Sequence, residues 1–168
     1  MTCSAASIDT PLGAMVVLSQ EESVVLLEFA ENPSFDEELK RLREKTGRLA
    51  VSDDAAPIRA LAKEIDRYFK GDLKTFETPF SFEFGTPFQK RVWAELAKIP
   101  YGETRSYAEI SLAIGLPRAI RAAARANGAN PLAIVIPCHR VINSDGKLGG
   151  YGGGLERKKW LLRHERIL

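Results

Sequence analysis

The stretch Ser106–Gly128, SYAEISLAIGLPRAIRAAARANG, decides the fold of half the chain. Ser106 followed three residues later by Glu109 is a capping box, in which each side chain satisfies an amide that the first helical turn leaves open. The helix it opens is expected to end near Gly115, where a left-handed backbone closes a helix at little cost. Pro117 then starts a second helix over residues 118–127, since its missing N–H is not needed in a first turn, and Gly128 closes it. Two short helices around a glycine-containing turn predict a helix-turn-helix unit. On the second helix Arg118, Arg121 and Arg125 share one face, with Ala119, Ala122, Ala123, Ala124 and Ala126 between them. Small side chains let a backbone approach its neighbour closely, while arginines reach phosphates or enter a base stack. An alanine-rich core helix with solvated arginines would use the same letters.

The surrounding charge weighs between these readings. Residues 85–168 carry 14 Lys+Arg against 6 Asp+Glu, whereas residues 1–84 carry 10 against 16, so a net charge of +2 joins an acidic half to a basic one. A basic half-chain around an Ala/Arg helix favours a nucleic-acid partner. The expected organisation is an N-terminal scaffold domain, 1–84, and a C-terminal domain, 85–168, that binds DNA and carries the chemistry. Its 168 residues with 45% apolar and 27% charged composition suffice for a buried core and argue against disorder. No apolar run approaches the roughly 20 residues of a membrane span, and Met1–Pro11 lacks the pattern of a secretory signal. With two cysteines, Cys3 and Cys138, no disulfide framework organises the chain, and the cytoplasm is its expected home.

Further from the helix pair, Ala14–Leu18 and Val24–Phe29 read as a β-hairpin. Helices are expected over 35–44 and 57–69, the latter from the stripe Ile58, Leu61, Ile65 and Phe69. Residues 47–56 read as loop, and Phe80, Phe82 and Phe84 alternate as a half-buried strand would. Thr86-Pro87-Phe88-Gln89 opens another capped helix running to about Lys98. Leu155–Glu165 reads as a terminal helix.

Leu132–Ile136 is a continuous apolar run, most simply a buried strand, and it leads into Pro137-Cys138-His139-Arg140. Positive neighbours favour a thiolate at Cys138, although a lone cysteine in apolar surroundings is more often inert. On an extended strand Cys138 and His139 point to opposite faces, so coupling them requires a turn or a bridging water. Six glycines among Gly146–Gly154 suit close approach to a ligand, and the phosphate-loop pattern is absent. Two cysteines and two histidines without paired spacing make a zinc site improbable.

These residues resemble the O6-alkylguanine-DNA alkyltransferase family. The resemblance is carried by Asn130-Pro131, Pro137-Cys138-His139-Arg140-Val141, Thr86-Pro87-Phe88-Gln89, Ile99-Pro100-Tyr101-Gly102-Glu103, Ser106-Tyr107, Gly150-Tyr151-Gly152-Gly153-Gly154, Trp160-Leu161-Leu162 and Thr10-Pro11-Leu12-Gly13, and so covers almost the whole chain. It implies an α+β fold: a small antiparallel N-terminal sheet with helices, ribonuclease H-like, and a helical, winged helix-turn-helix-like C-terminal domain holding the active site. It also implies transfer of an alkyl group from O6-alkylguanine in double-stranded DNA, flipped out through the minor groove, to Cys138. That transfer would happen once per molecule, by a monomer without a cofactor; O4-alkylthymine stays open as a substrate. Cys138 would be the acceptor, His139 would take its proton through a water, Glu165 would orient His139, and Asn130 would brace the turn. Tyr107 would donate to the guanine ring, and Arg121 would fill the gap in the duplex. Arg118, Arg125, Ala122 and Arg140 would contact DNA, while Tyr151, the Gly152 amide and the Val141 carbonyl would line the pocket. Some relatives bind zinc through N-terminal Cys and His; this chain has Cys3 and no histidine there, so no metal is expected.

Two rivals remain at this level. A non-catalytic helix-turn-helix protein that senses alkyl lesions would bind without chemistry, and a cysteine hydrolase using Cys138 and His139 would turn over repeatedly.

Overall fold

The N-terminal sheet is built from Thr2–Ile8 (β1), Met15–Gln20 (β2), Ser23–Phe29 (β3) and Arg48–Val51 (β4), with runs of buried Val and Leu in β2 and β3 supplying its apolar face. The computed structural model describes residues 2–168, which divide into two compact units, one ending at Phe84 and the other Gly85–Leu168. The strand order is β3-β2-β1-β4; β2 pairs antiparallel with both neighbours and β4 runs parallel to β1. The expected hairpin is thus present. The parallel strand β4 lies where a loop was expected, because four residues give too short a pattern to reveal period-2 alternation.

Phe35–Thr46 (α1) brings Leu42, Phe35 and Leu39 to one core cluster with Cys3, Ala5, Leu18, Val25 and Leu26. Ala56–Phe69 (α2) buries Ile58, Leu61, Ile65 and Tyr68 and packs on β1, β2 and β3. Each such side chain stabilises the unit by about 1.5–3 kcal/mol relative to exposure. The strand expected over Phe80–Phe84 is not formed. Pro79 accepts from the Val24 amide (2.9 Å) and Ser81 donates to the Val24 carbonyl (3.0 Å), and the contact ends there as one isolated bridge.

In the C-terminal unit Thr86 caps Pro87–Leu96 (α3): its hydroxyl accepts from the Gln89 amide (3.1 Å), and its own amide donates to the Gln89 side chain (2.9 Å). The same reciprocal box, from Ser106 and Glu109, opens Tyr107–Ala113 (α4). Each cap contributes about 1 kcal/mol. Trp93 of α3 is buried and donates to the Ala126 carbonyl at 2.7 Å, tying α3 to Ile120–Gly128 (α5). Gly85 lies against that ring with φ +104°, and a Cβ there would come within 2.5 Å of it, so the position requires glycine.

Helix α5 begins at Ile120 rather than Arg118. A tight turn, Ala119 amide to Leu116 carbonyl (2.9 Å), absorbs the first residues and leaves Arg118 ahead of the helix while Arg121 and Arg125 lie on it. Arg105–Ser106 (β5) and Val141–Ile142 (β6) form a two-stranded parallel ladder, and Leu155–His164 (α6) follows the glycine-rich segment.

Candidate active site

The apolar run Leu132–Ile136 is buried except for the half-buried Val135, as its composition demands, but it is a tight turn and not the expected strand. The Ile136 amide bonds the Leu132 carbonyl at 2.8 Å, and Ile134 takes φ +70°, a left-handed conformation that costs a β-branched residue about 1–2 kcal/mol. Asn130 holds the turn in place of a sheet ladder. Its side chain accepts from the Leu132 amide (3.0 Å) and donates to the Leu132 (3.4 Å) and Ile136 (2.8 Å) carbonyls.

The turn delivers Cys138–Arg140 as one turn of 3₁₀ helix. Three residues per turn fan successive side chains about 120° apart, which removes the opposite-face problem of an extended chain. Cys138 is 6% exposed, and its carbonyl accepts from the Asn127 side chain of α5 at 3.3 Å. His139 is fully buried, with Nε2 2.8 Å from Glu165 Oε1 at the end of α6. Arg140 was expected at a DNA surface; it is buried and turned inward. It donates to both Glu165 oxygens (2.8 and 2.9 Å) and to the Ile99 carbonyl (2.7 Å), geometry that a surface contact would forfeit.

Electrostatics then assign the protons. Burial pushes the Glu165 carboxyl up, but the bonds from His139 and Arg140 outweigh it and hold the group well below the usual carboxylate range. Burial holds His139 below its ordinary value against the opposing pull of Glu165. A neutral imidazole facing an acceptor-only carboxylate carries its hydrogen on Nε2, which leaves Nδ1 a bare lone pair. Among the described residues Nδ1 has no hydrogen-bond partner although it is buried. The arrangement therefore offers a base beside Cys138, with its tautomer set by Glu165.

Above this cluster an open groove of about 570 Å³ is lined by Tyr107, Arg121, Arg125, Asn143, Gly149 and Tyr151, among others. Tyr107 is buried, and burial followed by the nearness of Cys138 pushes its hydroxyl up, so it stays protonated and able to donate. Gly149, at φ +70°, lies under the Tyr107 ring, where a Cβ would come within 3.2 Å. The structure thus brings together Cys138, His139, Glu165, Tyr107, Asn130, Arg121, Arg125 and Tyr151 in one unit. Arg118 and Gly152 are exposed and do not line the groove, Ala122 is half-buried on α5, and the Val141 carbonyl already accepts from Lys158.

Two side chains escaped the sequence reading. Asn127 lines the groove and bonds Cys138 from below. Lys158 is fully buried, its Nζ donating to the carbonyls of Val141 (2.7 Å), Gly150 (3.1 Å) and Leu148. The signal for Lys158 was its spacing, three and four residues before Leu161 and Leu162 on the apolar face of α6. Among the described residues no group of three or more His, Cys, Asp or Glu side chains is gathered to hold a metal ion, and no helix is long and apolar enough to cross a membrane.

Fold and site together define a helix-turn-helix domain with a buried cysteine beside a carboxylate-oriented histidine. The family model for the 6-O-methylguanine DNA methyltransferase DNA binding domain matches residues 87–167, and that for its ribonuclease-like domain matches residues 5–82. A Methanosarcina barkeri protein named methylated-DNA–protein-cysteine methyltransferase is 42% identical over 158 residues, 94% of either chain. The crystal structure of Mycobacterium tuberculosis OGT in complex with DNA matches with a TM-score of 0.82 at 39% identity, covering 99% of this chain and 93% of that one. O6-methylguanine-DNA methyltransferase from Pyrococcus kodakaraensis matches at 0.68 and 26% identity, over 97% and 98%. The chain belongs to the 6-O-methylguanine DNA methyltransferase family.

Proposed function

We propose that this protein repairs alkylated DNA by moving the alkyl group from the O6 atom of guanine to the Sγ of Cys138, once per molecule. The observation that carries this reading is the bare, buried Nδ1 of His139, set by Glu165 beside the cysteine. His139 takes the thiol proton, through a water, and the thiolate attacks the alkyl carbon. The S–C bond forms as the C–O bond breaks, and the electron pair goes to the guanine oxygen and ring. Tyr107 donates toward a ring nitrogen and stabilises that developing charge. Asn130 holds the turn that presents the sulfur. The thioether has no easy return to a thiol, so each molecule reacts once.

The carbon cannot be reached inside a duplex, and extruding a damaged base costs a few kcal/mol. Arg121 lies at the rim of the groove on α5, where it fills the gap left by the extruded nucleotide. Arg118, Arg125 and the small side chain of Ala122 hold the backbone from the minor groove, while Tyr151, in the groove lining, faces the extruded base. The relative solved on DNA supports this partner. The protein acts as a monomer, without metal or cofactor, in the cytoplasm, on residues 85–168, with residues 1–84 as scaffold.

The test is intact-mass measurement after incubation with a duplex holding one O6-methylguanine. A single gain of about 14 Da on Cys138, with no second turnover, is expected of a thiolate acceptor. Cys138→Ser should bind the duplex and gain nothing. Binding by the wild type without a mass gain would leave the lesion-sensing rival; repeated turnover on an ester would leave the hydrolase.

A further inference from the structure

Lys158 is a buried ionisable group of the C-terminal unit with no part in the chemistry proposed above. It is fully buried, and three backbone carbonyls meet its ammonium: Val141, which directly follows the Cys138 turn, and Leu148 and Gly150, in the glycine-rich wall before Tyr151. An ammonium has three N–H donors and no acceptor, so this coordination is saturated. Gly149, between the two wall carbonyls, is the residue that packs under Tyr107.

We propose that Lys158 is a positioning residue: its ammonium clamps the glycine-rich wall to the Cys138 segment, and loss of its proton opens the lesion pocket. This rests on the alkyl-transfer reading of the same site. The wall from Gly146 to Gly154 contains six glycines and no helix or strand of its own, so little else fixes it. A neutral amine offers two hydrogens to three carbonyls and leaves one buried carbonyl without a donor. The groups whose charges reach Lys158 are Cys138 and His139 of the 3₁₀ helix facing it. Arg157 and Lys159, beside it on α6, point elsewhere, to the Gly153 carbonyl and to Glu156. Burial pulls the ammonium down to about 8 against the opposing effect of Cys138, so the latch is set within reach of physiological pH.

The experiment compares two reactions of Cys138. Transfer from free O6-benzylguanine requires an ordered pocket, while labelling by iodoacetamide requires a reactive thiolate and little else. For the wild type, the ratio of transfer rate to labelling rate should fall as pH rises through about 8. Lys158→Met should lose about 100-fold in transfer, the effect of a misplaced reacting group, and less than threefold in labelling. Lys158→Arg, which keeps a cation, should hold its ratio constant to pH 9.5, and amide exchange at Gly149–Tyr151 should rise in Lys158→Met while that of α3 and α5 is unchanged. Equal losses in both reactions would overturn the clamp in favour of a charge effect on the sulfur, as would a wild-type ratio that is flat with pH. If Lys158→Met fails to fold, the wild-type ratio decides alone. Absence of any transfer by the wild type would instead refute the alkyl-transfer reading itself.

Discussion

Glu38 in the N-terminal unit and Glu165 in the C-terminal unit are both glutamates removed from water, at 7% and 2% exposure, and they are driven in opposite directions. Among the described residues Glu38 Oε2 has no hydrogen-bond partner; burial first, then the nearby Glu28 carboxylate, pushes the group up to about 8. Glu165 receives three hydrogen bonds from His139 and Arg140, which outweigh its burial and hold it ionised. Burial sets the direction only where nothing answers the charge. The N-terminal unit leaves a carboxyl protonated and idle, whereas the C-terminal unit keeps one charged and uses it to fix a histidine tautomer.

Breaking the answered charge should give the largest effect. Glu165→Gln removes the anion that orients His139 and neutralises Arg140. Single-turnover transfer should drop by about 100-fold or more through the wrong tautomer, and urea unfolding should show a loss of about 3 kcal/mol from the unpaired buried arginine. Retention of full activity would mean that Glu165 is structural alone.

The idle charge should be visible as pH-dependent stability. Glu38 is raised in the folded state, so its contribution is fully present below about 4.5 and is lost as pH rises toward about 8. Solvent screening reduces this to about 2 kcal/mol across that window. Glu38→Gln should flatten the stability profile between pH 5 and 8 and leave transfer untouched, as thermal melts and transfer assays would show; an unchanged slope would place the proton elsewhere.

The smallest effect sharpens the contrast from the surface. Lys98 bonds Glu95 at 2.8 Å, the same length as the Arg140–Glu165 contact, but its side chain is 71% exposed. Lys98→Ala should change stability by less than about 0.5 kcal/mol, because water and salt already screen the pair.

Legibility in the sequence followed the range of the interactions. Capping boxes at Thr86 and Ser106 were readable because both partners lie three residues apart, and the α2 stripe because burial repeats with the helical period. Val51 and its three predecessors in β4 were not, since their pairing partner is β1, more than forty residues away. Leu132–Ile136 was legible as buried but misread as a strand: composition reports burial, while the turn is imposed by Asn130. Arg140 was misplaced for a related reason. A cation beside a cysteine in a basic half-chain looks like a DNA contact until Glu165, 25 residues on, turns it inward.

For this protein, the sequence by itself determined the helix-turn-helix, the cysteine–histidine pair and, through ordered motifs, the family and its chemistry. Local hydrogen bonds and periodic burial suffice for the first, and covalent adjacency for the second. The tertiary structure alone decided which nitrogen of His139 is free, that Arg140 is internal, and that Lys158 joins two segments of the site. Each of these depends on which acceptors distant parts of the chain bring to a buried donor, and that is settled only when the chain is packed.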